Sequence, residues 1–334
     1  MVADTIHRRA SSDGLRPLSL ARDWQQVLTL IEMAFGDALD AEARRALHSM
    51  RLPVLLAPLI GFLDSLSPPG EGMMPGFVWV EGGQIVGTAS VRRVHPFRNG
   101  WLISNVAVHP DVQGRGIGRA LMEASVDLAT HHGAEWVVLQ VRDDNLAAKR
   151  LYESLGFNKV GEVVRLRKTA LDKMVTWELS TLAARAMHRA RWSEGTDLLR
   201  LARTLTPYDM LWTDALNRDL YQTGPWSRLV AHLQGGRRQW WVVDRQVGPS
   251  QAAVGVEVDP RNAWHRLRLL ILPEARDQGL AADLVAFGLT QLTDGSPLPI
   301  EIEHPASDET TQAALIGTGF EPIYALVHMR LNLK

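Results

Sequence analysis

In the run Gln113 to Arg119, glycines at 114, 116 and 118 alternate with Arg115, Ile117 and Arg119. Removing every second side chain lets the backbone take positive φ and lie flat against a ligand, while the two arginines add positive charge. From Ile117 the apolar residues Leu121, Ala124 and Leu128 recur at helical spacing, so the loop delivers its N–H groups at a helix N-terminus. Such a loop is an anion site, and the natural anion is a phosphate or pyrophosphate.

A strand must feed that loop. Val106, Ala107 and Val108 close an apolar run that begins at Trp101, and Pro110 stops it because proline cannot donate to a ladder. Behind the helix the sequence predicts another apolar strand, Glu135 to Val141. A short helix comes next, capped by Asn145, with Ala148, Leu151, Tyr152 and Leu155 on its core face. Gly156 ends that helix as a left-handed cap, and Phe157 begins the next strand. Ahead of the loop, Phe77 to Glu81 and Gln84 to Arg92 flank Gly82-Gly83 as a hairpin. Leu15 to Leu20 reads as a first strand and Asp23 as an N-cap, with Trp24, Val27, Leu28, Ile31 and Phe35 forming one helical face. A charged helix is expected over Asp40 to Met50, a proline-broken apolar segment over Leu52 to Leu63, and a closing hairpin over Lys159 to Arg167 and Lys173 to Ser180.

Two nucleotide signatures do not fit. The Rossmann fingerprint needs glycine at its sixth place, which counted from Gly114 holds Arg119, and the P-loop needs a lysine that this loop lacks. The loop does match Q/R-x-x-G-x-G/A over Gln113 to Gly118, and the pattern N-x-x-A-x-x-x-Y-E-x-x-G-F is present over Asn145 to Phe157. On these two motifs the chain resembles the GCN5-related N-acetyltransferase (GNAT) superfamily.

That resemblance implies an α/β fold: a mixed, mostly antiparallel central sheet with a splayed parallel strand pair, flanked by helices. It implies acetyl-coenzyme A as cofactor, its pyrophosphate on the glycine loop and its pantetheine arm in the gap between the splayed strands. The residues then expected around it are Val106, Ala107, Val108, Gln113, Gly114, Arg115, Gly116, Ile117, Gly118, Arg119, Asn145 and Tyr152. The acceptor, a primary amine on a small molecule or peptide, attacks the thioester directly in a ternary complex. Backbone N–H groups near Val106 and Val108 polarise the carbonyl, and Tyr152, protonated at neutral pH, is the candidate general acid. Many relatives carry a glutamate just before the Val-Ala-Val run. Here Ser104 and Asn105 stand there, so the base stays open between a water relayed from either residue and a distant group such as His95 or Glu81. His109 reads as a loop residue, and no metal is implied. Two other readings remain: a non-catalytic acyl-coenzyme A binding module, and an acyltransferase for longer chains with Leu52 to Leu63 as an apolar wall.

Composition narrows the setting. A chain of 334 residues has room for two domains. Its 36 basic and 37 acidic residues give a net charge of -1, which argues against nucleic-acid or anionic-membrane partners. The absence of cysteine excludes disulfides, thiolate metal sites and a cysteine nucleophile. Arg8 and Arg9 precede no apolar stretch of signal type, and Leu52 to Leu63 is too short to cross a bilayer, so a cytoplasmic protein is expected.

The second half repeats the first. A gapless shift of 163 positions places Trp264 on Trp101, Pro273 on Pro110, Gly279 on Gly116 and Phe320 on Phe157. Two tandem domains are therefore expected, 1-180 and 181-334, joined by a linker over Ser180 to Gly195 with a helix from Thr196. Trp240 to Val243, Val254 to Val258 and Arg266 to Leu272 are the second copy's strands. Its loop, Arg276 to Ala281, keeps one glycine and gains Asp277, and Leu315 and Asp308 replace Tyr152 and Asn145. The first domain is thus expected to be catalytic and the second structural or substrate-shaping, with one cofactor per chain and the pseudo-dimer a monomer.

Overall fold

The computed structural model describes residues 13–36, 75–97, 99–169, 187–213, 217–226, 229, 233, 236–243, 251–258, 264–292 and 298–333. The helix expected over Asp40 to Met50, the Leu52 to Leu63 segment, the strand expected over Lys173 to Ser180 and the 180/181 boundary lie outside them. Two compact units interleave along the chain. The first draws on residues up to Leu139, on Leu151–Phe157 and on the chain from Arg330; the second draws on Gln140–Arg150 and Asn158–Met329.

The first unit opens with β1 (Gly14–Pro17) and α1 (Leu20–Phe35), succeeded by β2 (Gly76–Glu81), β3 (Gln84–Arg93) and β4 (Gly100–Val108). After α2 (Ile117–His131), β5 (Trp136–Arg142) and α3 (Leu146–Ser154) run on across the unit boundary. The first strand is shorter than expected, because α1 already starts at Leu20, and Ser19, not Asp23, is its N-cap. Asp23 lies in the first turn, where its carboxylate accepts the Ser19 N–H at 2.9 Å and both terminal nitrogens of Arg16 at 2.6 and 2.8 Å. An acid there completes the helix start from inside, which is why the residue type suggested a cap. Burial alone would raise the Asp23 carboxyl, but Arg16, the Ser19 N–H and Arg22 outweigh it and hold it below the usual range.

The strands align as β1-β2-β3-β4-β5, antiparallel up to β4. On one face Val27, Leu30 and Ile31 of α1 pack on Val78, Val80, Ile85 and Ala107. On the other, Ile117 and Leu121 of α2 pack on Ala89, Val106 and Val108. Gly87 sets how close α2 can come, since a Cβ there would stand 2.8 Å from the Ile117 side chain.

In the second unit, β6 (Asn158–Lys168) is succeeded by β7 (Met187–Arg189), α4 (Gly195–Leu205), β8 (Arg237–Val243) and β9 (Ala252–Val258). Then come β10 (His265–Ile271), α5 (Ala281–Thr290), β11 (Ile300–Pro305), α6 (Glu309–Gly317) and β12 (Glu321–Asn332). From β6 the order runs β6-β11-β10-β9-β8-β7, with β10 and β11 parallel. The expected linker thus contains a strand, β7, which pairs Met187 with Val243. The partner of β6 is also long-range, for Lys168 to Val163 lie antiparallel to Ile300 to Pro305. Leu166, Val254, Leu267, Leu284 and Phe320 belong to one core, and Leu198, Trp240 and Val242 to another on the opposite face.

Candidate active site

Strands β4 and β5 pair at only three positions, Gly100 with Trp136, Trp101 with Val137 and Leu102 with Val138. Asn105 marks the break in β4. Its φ is 53°, and the pairing with β3 jumps from Ser90–Ser104 to Thr88–Ala107 across it. Asparagine is among the few side chains that tolerate this left-handed conformation, and a bulge of this kind re-aims the strand beyond it. Asn105 is exposed and donates its side-chain N–H to Ser90 Oγ at 3.3 Å.

After the bulge, the N–H of His109 bonds to the Val86 carbonyl at 2.8 Å. Strand alternation then turns the N–H groups of Ala107 towards β3 and those of Val106 and Val108 towards the opposite edge. Ala107 therefore offers no backbone donor to that edge, and its side chain is buried beneath α1. Ser104 faces Ser90 in the β3 ladder.

The loop comes directly after this strand. Gln113 reaches back to donate its side-chain N–H to the Val108 carbonyl at 3.1 Å. Gly114 and Gly116 take φ of 76° and 82°, and no heavy atom lies within 4 Å of where a Cβ would stand. Conformation, not crowding, requires glycine there, and the space beside the loop is open. Gly116 caps α2 in the left-handed region. The first helical bond runs from Ala120 N–H to the Gly116 carbonyl, so the N–H groups of Ile117, Gly118 and Arg119 precede the ladder. These donors, with no acid in the first turn of α2, fit a pyrophosphate.

The arginines of the loop differ. Arg115 is gripped by Glu81 through two hydrogen bonds of 2.9 and 3.0 Å. Arg119 donates to Ser154 Oγ at 2.6 Å. That bond, and a Cβ position on Gly118 that lies 3.4 Å from Leu151, set the end of α3 against the start of α2. Tyr152 thus sits on a turn held to the loop. It is 6 % exposed, packs on Phe157 with ring centroids 6.2 Å apart, and burial pushes its hydroxyl up to about 12. Asn145 caps α3, accepting the Ala148 N–H at 3.0 Å. Gly156, at φ 89°, closes the helix, and Phe157 donates its N–H to the Tyr152 carbonyl. His109 accepts the Asp111 N–H through Nδ1 in the turn after β4.

In the second unit the corresponding loop is built differently. Gly279, at φ 74°, is its only glycine in the left-handed region, and Arg276 takes the place of Gln113 and donates to the Ile271 carbonyl at 3.3 Å. Arg276 also lies 3.0 Å from the Asp308 carboxylate, which His304 contacts at 2.8 Å and which accepts the Thr311 N–H at 3.1 Å. Burial alone would raise the Asp308 carboxyl, but the bonds from His304 and Thr311 prevail and hold it below the usual range. The side chain at the loop's start is therefore occupied within the unit.

The fold has solved counterparts, one of them a tandem protein. The structure matches a tandem GNAT protein from the clavulanic acid biosynthesis pathway with a TM-score of 0.61 at 16% identity, covering 95% of this chain and 98% of that one. It matches a GCN5-related N-acetyltransferase from Sphaerobacter thermophilus with a TM-score of 0.61 at 15% identity, covering 96% of each chain. Residues 45–157, which span the bulged strand, the loop and the Tyr152 helix, match the acetyltransferase (GNAT) family model. Over these residues the chain is similar to the GNAT family.

Among curated proteins, it is 51% identical over 55 residues to the ribosomal protein bS18-alanine N-acetyltransferase of Escherichia coli strain K12, covering 16% of this chain and 37% of that protein. It is 42% identical over 83 residues to N-alpha-acetyltransferase RimI of Mycobacterium tuberculosis, covering 24% and 49%. It is 35% identical over 103 residues to the mycothiol acetyltransferase of Kocuria rhizophila, covering 30% of each. The chain thus spans less than half the length of each of these relatives.

Proposed function

We propose that this chain is an N-acetyltransferase that moves the acetyl group of acetyl-coenzyme A to a primary amine, with catalysis in the first unit. The observation that carries the reading is the juxtaposition of a glycine loop, a bulged strand edge and the Tyr152 turn, the last tied to the loop through Arg119 and Ser154. The curated relatives bear on the reaction type alone; the acceptor, a small molecule or a peptide, is left to chemistry.

When bound, acetyl-coenzyme A supplies an acetyl group activated as a thioester. The N–H groups of Ile117, Gly118 and Arg119 would hold its pyrophosphate, and Gly114 and Gly116 keep side chains out of that space. Val106 and Val108 present N–H groups along the free edge of β4, where they polarise a carbonyl as an oxyanion hole does. Tyr152 holds its proton far above neutral pH, as an acid for a departing thiolate must. In a ternary complex the amine would attack the thioester carbon directly, the carbon–sulfur bond would break with Tyr152 protonating the departing thiolate, and the amine's proton would pass through a water near Ser104 or Asn105 to solvent. Arg115 acts on the loop through Glu81, and Asn145 acts on Tyr152 by capping its helix. The second domain is structural or substrate-shaping and not catalytic, and the chain works as a cytoplasmic monomer. Thioester consumption against a panel of primary amines tests the reading. Turnover with at least one amine is expected, whereas binding of acetyl-coenzyme A without turnover on any amine would favour a non-catalytic module.

A further inference from the structure

Three hydroxyl side chains share one face of the sheet beside the Asn105 bulge. In register across the strands, Thr88 on β3 stands between Val78 on β2 and Ala107 on β4, and Ser90 stands opposite Ser104. Residues in register on antiparallel strands point to the same face, and so do residues two apart on one strand. Thr88, Ser90 and Ser104 therefore lie on the face covered by α1, where Val78 and Ala107 pack beneath Val27, Leu30 and Ile31. In a regular strand Ser104 and Ala107, three apart, would face opposite ways. The extra residue at Asn105 is what turns Ser104 to the side of Thr88.

Thr88 is fully buried, and its hydroxyl has no hydrogen-bond partner among the described residues. A buried hydroxyl left in that state destabilises a fold, whereas valine would fill the same space without the penalty. Ser90, also buried, accepts the Asn105 amide N–H at 3.3 Å. Ser104 is half-buried and Asn105 exposed, so the polar row leads from the interior to the strand surface. The second unit does without it. Its strands β9 and β10 carry no serine, threonine or asparagine, and their register runs unbroken from Arg266–Glu257 to Ile271–Ala252. The packing of such a sheet thus does not call for the hydroxyls of the first unit.

On the acetyltransferase reading, on which this step rests, we propose that Thr88 and Ser90 hold one ordered water behind Ser104, and that this water takes the proton given up by the attacking amine. A buried water needs about two to four polar partners, and the row supplies three hydroxyls. As the amine nitrogen bonds to the acetyl carbon, an N–H bond breaks and its proton passes to the Ser104 oxygen. The Ser104 proton passes to the water, which releases one proton to solvent past Asn105, while the thiolate leaves with the proton of Tyr152. Ser104 is then the group that touches the amine, and Thr88 and Ser90 are positioning residues. The row gives the proton a route on a strand pair that carries no carboxylate.

The test sets rate against stability in the full chain. Thr88→Val, which keeps the shape and removes the hydroxyl, should lower kcat about tenfold on an amine that the wild type acetylates, as for one lost hydrogen bond. Its urea midpoint should equal or exceed that of the wild type, and its dissociation constant for acetyl-coenzyme A should be unchanged. Thr88→Ser, which keeps the hydroxyl and loses a buried methyl, should do the reverse, with a lower midpoint and a rate within about twofold of the wild type. The deficit of Thr88→Val should shrink as pH rises from about 7 to about 9, because hydroxide then takes the proton instead. A Thr88→Val chain as fast as the wild type, a lower midpoint in that variant, a deficit that pH does not alter, or Thr88→Ser as slow as Thr88→Val would overturn the proposal and leave the acetyltransferase reading standing. A wild type that acetylates no amine would overturn both.

Discussion

Arg115 presents both terminal nitrogens to the carboxylate of Glu81, at 2.9 and 3.0 Å, and Trp79 donates its indole N–H to the same carboxylate at 3.2 Å. The loop's first arginine is therefore already paired, so in the proposed reading backbone N–H groups, not that guanidinium, would carry the anion.

Changing the pair tests this division of labour. Arg115→Ala should weaken coenzyme A binding by no more than about threefold, in line with a partly exposed ion pair. Glu81→Gln, which releases the guanidinium, should strengthen binding about threefold and steepen its salt dependence. Calorimetry at two salt concentrations reads both effects, and a loss beyond tenfold in Arg115→Ala would assign the arginine to the ligand.

Tyr152→Phe should lower kcat by a factor of about 10² to 10⁴ and leave the dissociation constant of coenzyme A unchanged, because only the acid is removed. Since the hydroxyl titrates near 12, the acid should impose no loss of rate up to about pH 10. The same shift bears on stability. The folded value lies above the unfolded value of 10.0, so the contribution is complete below pH 10 and is lost as pH rises towards 12. A rate that falls with an apparent pKa near neutrality and loses that limb in Tyr152→Phe would contradict the picture.

Gly116→Ala and Gly279→Ala form a matched pair. Both glycines are left-handed, with nothing near the Cβ position, so each alanine should cost about 1 to 2 kcal/mol of backbone strain, visible as a lower urea midpoint. Coenzyme A binding should weaken at least tenfold in Gly116→Ala only. Equal losses in both would mean that the second loop also holds the cofactor.

His328 supplies a pH signature of the second unit. It is 2 % exposed, lies 3.5 Å from Gln140 Nε2 through its own Nε2, and meets the Trp212 ring at a tilt with centroids 5.4 Å apart, and burial pushes it down to about 4. The folded value lies below the unfolded one of 6.5, so its contribution is full above pH 6.5 and is lost as pH falls towards 4. The wild type should lose at most about 3 kcal/mol over that range by this route, and His328→Gln should flatten the slope of urea stability against pH. An unchanged slope would assign the acid sensitivity elsewhere.

The local parts of this molecule were legible in its sequence. The glycine loop, the Asn145 cap and the Gly156 stop each rest on a few consecutive residues whose φ preferences are strong, and the structure has all three. The Asn105 bulge left only a weak trace, an asparagine inside an apolar run. Asp23 misled because an acid that backs a helix start from its first turn is the same residue type that caps one. The pairing of Arg115 with Glu81 and the shared face of Thr88, Ser90 and Ser104 depend on how strands lie against their neighbours, and no spacing along the chain records it. Nor does any record that β6 pairs with β11, for both strands alternate in ways that suit many partners.

The most direct measurement is calorimetric titration of acetyl-coenzyme A into the purified full chain, beside Gly116→Ala. One equivalent should bind per chain, and the alanine variant should bind at least tenfold more weakly. No binding at millimolar ligand, or binding that Gly116→Ala leaves untouched, would contradict the claim that Gln113 to Arg119 is the cofactor site.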